Sequence, residues 1–380
     1  MNILHITGYT VERGGTAKIV FENATYQISK GHNVTILSVD FPNEEPYPIP
    51  KGAKLVLTKN HWIGKFISNF SFETNDFFKR LGNSFDIIHI HGIWFWGSIA
   101  PFIFKNNAKK LITIHGMLSE WTMAQGKIKK WIFGKIFQDN SLKEARALIV
   151  NTEIEKTELL KYIEIEKNKI FIVPNAIEKT SPVSENEKLD YKEKNGLQQS
   201  DKNILFLSRI HKKKGLELLI KAFARLKNLN YNVNLLIAGP DEGFKGKVEE
   251  MIEAFGLDKK VKFLGSVSGR TKEIVFSIAD VYALTSFSEG FPMAVMEAIE
   301  AGVPVVVSDQ TRIDTYISKY KAGIVVKLNE EQISEALLSI LENKELANDF
   351  VKNGEEMLMK EFRPEYIYGR MLEIYESVLK

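Results

Sequence analysis

The chain has 380 residues, 44% of them hydrophobic and 26% charged, with a net charge of +3 and no cysteine. That length exceeds one comfortable hydrophobic core, so two domains are expected. A charge of +3 does not by itself imply nucleic acid. The lack of cysteine excludes disulfides, thiol chemistry and thiolate metal sites, which suits a reducing cytoplasm.

Residues 2–38 read as a strand, a loop containing Gly14 and Gly15, an amphipathic helix, a break at Gly31-His32 and a second strand. This βαβ unit starts at residue 2, so no signal peptide is expected. Paired glycines let a backbone approach another group closely. Trp62, Phe66 and Phe70 have helical spacing and read as core. Residues 87–104 lack Asp, Glu, Lys and Arg but contain two histidines, two glycines, a serine and a proline. A membrane-spanning helix needs about 20 mostly apolar residues, so a strand, a turn and a helix start are predicted there, and no transmembrane helix.

His89 and His91 have strand spacing and face one side. With no cysteine in the chain and no third ligand nearby in sequence, no metal site is expected. Leu111 to Ile114 reads as a short buried strand, with His115-Gly116 as the turn at its carboxyl end. A histidine there is placed for an active-site role or for a loop-stabilising hydrogen bond. From Pro101 to Lys135 the chain carries seven lysines and one acid, Glu120, interleaved with aromatics. Lys127, Lys129 and Lys130 with Trp131 suit an anionic membrane surface. The other reading is a solvated helix whose aromatics face the core.

IFIVPNAIE reads as a strand and a Pro-Asn turn that end the first domain, and residues 178–202 as a charged linker. Asn203 to Leu207 is strand-like, Gly215 ends a tight loop, and Leu216 begins an amphipathic helix. Arg209 and Lys214 thus sit on a loop at the carboxyl end of a strand, where open α/β sheets bind ligands; Lys212 and Lys213 read as solvated charge. Further βα units follow. In SEGFPMAVMEAIEAGVPVVVSD, Pro292 fits the first position of a helix, Gly302 and Pro304 close it, and residues 303–309 read as a buried strand. Free N–H groups at that helix start would hold phosphate, with Glu289 beside them and Glu297 further along to grip a sugar diol. Together they describe a nucleotide-sugar pocket.

EGFPMAVMEA, the SR…KG pattern at 208–215, the glycine loop and the ITIHG segment resemble glycosyltransferase family 4. The resemblance implies an α/β GT-B fold: two Rossmann-like domains facing across a cleft, with a C-terminal helix crossing back to the first. Residues 1–177 plus 364–380 would form the acceptor domain and 178–363 the donor domain. The family implies a retaining hexosyltransferase in which Arg209 and Lys214 hold the donor diphosphate and Gly14 and Gly15 face it across the cleft. His115 would lie near the anomeric carbon, and His91-Gly92 would line the acceptor side. Glu289 would touch the sugar or its diphosphate edge, and Glu297 the ribose. Gly290, Phe291, Pro292, Met293 and Ala294 would offer backbone to phosphate, and Gly265 and Val267 would read the base. With no Asp-x-Asp in the chain, no metal or other cofactor is expected. HGMLSEW…KIKKW resembles a subgroup that builds surface polysaccharides on lipid carriers. The implied partners are a nucleotide-diphosphate sugar, UDP before GDP, and a glycan or lipid-linked glycan, in the cytoplasm or on the inner membrane face. Two rivals remain. A nucleotide-sugar epimerase of the same architecture would need further acid–base residues, and a non-catalytic sugar-binding subunit would be expected to lose Arg209, Lys214 or Glu297.

Overall fold

The computed structural model describes residues 1–8, 15–40, 49–65, 67–226 and 232–380, so Gly14 and Phe66 lie outside the described residues. The chain divides into two compact units, Met1–Ala176 with Pro364–Lys380, and Ile177–Arg363.

The first unit is a parallel sheet of seven strands: β1 (Asn2–Thr7), β2 (Asn33–Asp40), β3 (Lys54–Lys59), β4 (Ile87–His91), β5 (Lys109–Thr113), β6 (Ala147–Val150) and β7 (Ile170–Ile172). Their order is β3-β2-β1-β4-β5-β6-β7. Side chains alternate across the strands. Leu4, Ile6, Ile88, Ile90 and Ile112 enter one core, while Ile3, Ile36, Ile87 and Leu111 enter another on the opposite face. The second core is completed by helix Gly15–Ser29 and by the C-terminal helix Pro364–Leu379, which buries Ile367, Tyr368, Met371, Ile374, Tyr375 and Val378.

The second unit has six parallel strands: β8 (Lys202–Leu207), β9 (Val233–Ala238), β10 (Val261–Gly265), β11 (Val281–Leu284), β12 (Val305–Ser308) and β13 (Gly323–Val326). They are ordered β10-β9-β8-β11-β12-β13 around one continuous core. Both sheets therefore reverse their winding at the first strand, between β1 and β4 and between β8 and β11. Loops diverge at the carboxyl ends of such a strand pair, and ligands settle there.

Two expectations change. The stretch 178–202 is not a plain linker: Glu185–Lys194 is a helix started by a capping box, in which Ser184 Oγ accepts from the Glu187 N–H and Glu187 accepts from the Ser184 N–H. That helix buries no residue, so it left no hydrophobic period to read. Trp62 is not core; it is 66% exposed, whereas Phe70 is buried.

Six buried apolar side chains at roughly 1.5–3 kcal/mol each outweigh much of a domain's total stability of about 5–15 kcal/mol. A chain ending at Arg363 is therefore expected to lose the folded N-terminal unit. Circular dichroism and limited proteolysis check this, and a protease-resistant N-terminal unit in the shortened chain would count against it.

Candidate active site

In the second unit, β8 runs into a loop that carries Arg209 and a short helical turn, Lys212–Lys214. Gly215 closes the turn with φ +67°, and a Cβ there would stand 1.9 Å from the Thr285 carbonyl oxygen. The Thr285 hydroxyl donates to the Gly215 carbonyl at 2.9 Å. The loop after β8 is thus pinned to the end of β11, at the point where the sheet reverses. Gly239, at φ +136°, serves the other side: its missing Cβ would lie 2.0 Å from the Ser208 carbonyl oxygen, and its N–H donates to the Gly265 carbonyl. Only glycine allows backbone to approach so closely. Gly265 is exposed at the end of β10, and Val267 is half-buried.

Pinning the loop turns Lys214 inward. The lysine is 8% exposed, and its Nζ donates to both oxygens of Glu289, at 2.7 and 2.9 Å. Ser286 Oγ also donates to Glu289, at 2.5 Å. Burial pushes the Glu289 carboxyl up, but the Lys214 charge and these hydrogen bonds outweigh it and hold the acid below its usual range. Of these two loop cations only Arg209 is exposed. Arg209 donates to both oxygens of Glu242 at 2.8 and 3.0 Å. Lys213 also departs from expectation. It is half-buried, and burial, opposed by Glu289 and assisted by the charges of Lys214, Arg209 and Arg312, pushes its ammonium down to about 8.

Helix Met293–Glu300 starts one residue later than expected. Pro292 is its cap, and the Pro292 carbonyl accepts from the N–H groups of Val295 and Met296. Met293 and Ala294, in the first turn, have no earlier helical carbonyl to bond. Gly290 and Phe291 precede them, with the half-buried Phe291 ring 5.9 Å from that of Phe362. Glu297, buried on this helix, accepts from Lys272 Nζ at 2.7 Å. Lys272, Ser286, Glu242 and Arg312 gave no local signal in the sequence. Lys213 could not be told from its two lysine neighbours until the turn fixed which side chains point inward.

In the first unit, Gly15 is the exposed first residue of its helix. His115 takes φ +53°, uncommon for a residue with a side chain. Its turn is clamped by the buried Glu155 carboxylate, which accepts from the Gly116 N–H and from the Asn151 N–H. No third histidine was near His89 and His91 in sequence, but the sheet supplies His5, which pairs in register with His89. The nitrogens of the three lie within 4.8 Å of one another. Their nitrogens already have partners within the protein. The His89 and His91 rings lie 4.1 Å apart with only 35° between their planes, and His89 spends both nitrogens on the hydroxyls of Tyr375 and Thr113, at 2.6 and 2.7 Å. A metal needs lone pairs aimed at one centre. His89, His91 and His115 instead line a cavity of about 20 Å³ with Asn23, Thr113 and Asn151.

On the surface of the same unit, helix Lys127–Phe133 and the turn after it leave Ile128, Trp131, Ile132 and Ile136 exposed at 75, 64, 46 and 57%. Lys127 and Lys129 flank this stripe in solvent. Lys130 does not join them: its Nζ donates to the Thr122 carbonyl, and burial lowers its pKa.

The family model "Glycosyl transferases group 1" matches residues 187–357, and "Glycosyltransferase Family 4" matches residues 13–180. The chain belongs to glycosyltransferase family 4. It is a transferase with a two-domain GT-B fold. It is 26% identical to a D-inositol 3-phosphate glycosyltransferase of Corynebacterium urealyticum, over 80% of this chain and 74% of that protein. It is likewise 26% identical to an alpha-monoglucosyldiacylglycerol synthase of Acholeplasma laidlawii, over 80% of this chain and 75% of the relative. The crystal structure of Anabaena HepE in complex with UDP and glucose superposes with a TM-score of 0.80 at 17% identity, over 99% of this chain and all of that one.

Replacing Lys214 by Ala strands a buried carboxylate. Loss of one partner of a buried pair costs about 3–5 kcal/mol, so Lys214→Ala is expected to destabilise the protein by that order in urea unfolding. Adding Glu289→Gln should restore most of the loss. Equal stability of wild type and Lys214→Ala would refute the pairing.

Proposed function

We propose that the protein transfers a hexose-type sugar from a nucleotide-diphosphate donor to a glycan hydroxyl, with retention of configuration and without a metal. The observation that carries this is the cluster at the β8–β11 reversal: Lys214 on Glu289, Lys213 and Arg209 nearby, and the first turn of helix Met293–Glu300. In the reaction, the bond between the anomeric carbon and the diphosphate oxygen breaks, and its electron pair leaves with the diphosphate. The acceptor oxygen bonds the anomeric carbon, and its proton passes to the leaving phosphate. Charge grows on that phosphate, and fixed cations and helix N–H groups stabilise it without reorganising. They supply the role a metal would otherwise fill. Glu297 takes the ribose, with Lys272 holding its carboxylate in place. Gly265 and Val267 lie on the base side. Retention and the sugar-side role of His115 rest on the family resemblance.

Uridine is favoured over guanosine, in keeping with the UDP held by HepE. For the acceptor we favour a lipid-linked intermediate of surface polysaccharide synthesis, made on the inner face of the membrane. The name of the Acholeplasma relative is consistent with a lipid acceptor. The exposed stripe of Ile128, Trp131, Ile132 and Ile136 between Lys127 and Lys129 suits an anionic lipid surface. Among the described residues no helix is long and apolar enough to cross a membrane, so attachment would be peripheral.

Three expectations follow. With radiolabelled nucleotide-sugars and no acceptor, wild type should slowly hydrolyse its donor, in EDTA as well as without it. Arg209→Ala should lose most of that turnover while unfolding at wild-type urea concentrations, and Lys214→Ala should lose both turnover and stability. Epimerised donor as the product would replace this reading, and full activity of Arg209→Ala would remove Arg209 from it.

Lys213 is a cation below pH of about 8 and neutral above it. Affinity for UDP, measured by calorimetry, should therefore be level near pH 7 and fall above pH 8, by at most roughly tenfold per pH unit. Lys213→Gln should flatten that limb. A wild-type profile without the limb would exclude Lys213 from the phosphates.

Each exposed lysine near an anionic surface contributes about 1 kcal/mol, screened beyond roughly 8 Å at physiological salt. Wild type should bind phosphatidylglycerol vesicles and be partly released by salt. Lys127→Gln with Lys129→Gln should weaken binding, Trp131→Ala with Ile128→Ala should weaken it further, and donor hydrolysis should not change. Unaltered vesicle binding by all four substitutions together would leave a soluble acceptor as the better reading.

A further inference from the structure

Four of the seven histidines of the chain sit together in the N-terminal unit, and their hydrogen bonds have a direction. The chain of bonds begins at Gln27, buried on helix Gly15–Ser29. Gln27 Nε2 donates to Asn23 Oδ1 at 2.8 Å and to the Tyr375 hydroxyl at 3.3 Å, so the atom facing His5 is the carbonyl oxygen, Oε1. A carbonyl oxygen only accepts. His5 Nε2 therefore carries the proton and donates to Gln27 Oε1 at 2.8 Å.

Burial holds these imidazoles neutral: it pushes His5 and His115 down to about 4 and holds His91 well below its usual value. A neutral imidazole carries one N–H. His5 Nδ1 is then bare, and across the 2.9 Å to His91 it must be His91 Nε2 that donates. His91 Nδ1 is bare in turn, and His115 Nε2 donates to it at 3.3 Å. The remaining nitrogen of His115, Nδ1, keeps its lone pair and has no hydrogen-bond partner among the described residues.

We propose that Gln27, His5 and His91 are positioning residues that lock His115 in its Nε2–H tautomer, so that His115 Nδ1 meets the ligand as a hydrogen-bond acceptor. A bare nitrogen attracts a sugar hydroxyl or another donor and repels a phosphate oxygen. The relay thus decides which part of a nucleotide-sugar can lie against His115. Glu155, by clamping the Gly116 and Asn151 N–H groups, fixes where the ring stands; the relay fixes which face of its chemistry is shown. The tautomer lock stands on these hydrogen bonds and on the neutrality that burial imposes. Its consequence for turnover rests on the proposed transferase reading.

The test is nitrogen NMR of the full chain labelled at histidine with ¹⁵N, together with donor hydrolysis. In wild type, His5, His91 and His115 should each show a protonated Nε2 and a bare Nδ1. A protonated Nδ1 on His115 would overturn the proposal. His91→Leu removes the acceptor, so the His115 nitrogens should average between tautomers, and kcat should fall roughly tenfold with little change in KM for the donor. His91→Asn puts a carbonyl oxygen near the lost Nδ1 and should rescue both the tautomer and most of kcat. Equal impairment by Leu and Asn, or an unaltered His115 tautomer in His91→Leu, would reduce the chain to packing. If His91→Leu does not fold, Gln27→Leu tests the far end, since it frees His5 Nε2 to lose its proton. His115→Ala separates the two readings. Wild-type turnover in that variant would remove His115 from the reaction, while the NMR result would still decide the relay.

Discussion

Parallel pairing of every strand within each sheet is the constraint from which the sites follow. Parallel strands end on the same edge, so whatever the chain places after a strand is delivered to one side of the sheet. In the second unit that edge receives Arg209 after β8, Gly239 after β9, Gly265 at the end of β10 and Glu289 after β11. In the first it receives His91 at the end of β4 and His115 after β5. Reversal of winding between β8 and β11 parts the loops that would otherwise pack on each other. The close approach of Gly215 to Thr285 then sets how far they part.

Charge at the β8–β11 edge is balanced within the protein. Lys214 rests on Glu289, Arg209 on Glu242 and Lys272 on Glu297. An unpaired buried ammonium would lose its proton, and an unpaired buried carboxylate would gain one. Pairing offsets part of the cost of holding these charges away from water. Lys213 differs, because burial, assisted by the neighbouring cations, outweighs the one acid, Glu289, that opposes it. It is the member of the group whose charge falls within reach of ordinary pH.

The first unit holds one buried polar cluster without charge. His5, His89 and His91 lie buried on the sheet face covered by helices Gly15–Ser29 and Pro364–Leu379, where water cannot solvate an imidazolium. Each nitrogen of these three is answered by another side chain, and the C-terminal helix supplies one of those answers through the Tyr375 hydroxyl. The helix that completes the core therefore also completes the polar chain. Outside, the same unit exposes an apolar stripe between lysines, a combination that water alone does not favour.

Much of this was legible in the sequence. Alternating apolar runs and glycine-bearing loops marked β1, β8 and β12 as strands, and the spacing of Glu289, Pro292, Glu297 and Gly302 marked one helix with an acid before it and an acid within it. These are local signals, because strand and helix periods and turn chemistry depend on neighbours in the chain. The pairing of Lys214 with Glu289 was not legible, since 75 positions separate them and only the β8–β11 contact makes them neighbours. The same holds for His5, which joins His89 and His91 across a strand pair, and for Lys272 under Glu297. The charged helix Glu185–Lys194 escaped because it buries nothing and so prints no period. The sequence by itself determined the elements and the kinds of side chain at their ends, because local sterics and hydrophobic period decide those. Only the tertiary structure decided which charges are buried, which are paired and which nitrogen of His115 is bare, because burial and hydrogen-bond direction depend on residues that meet through the sheet.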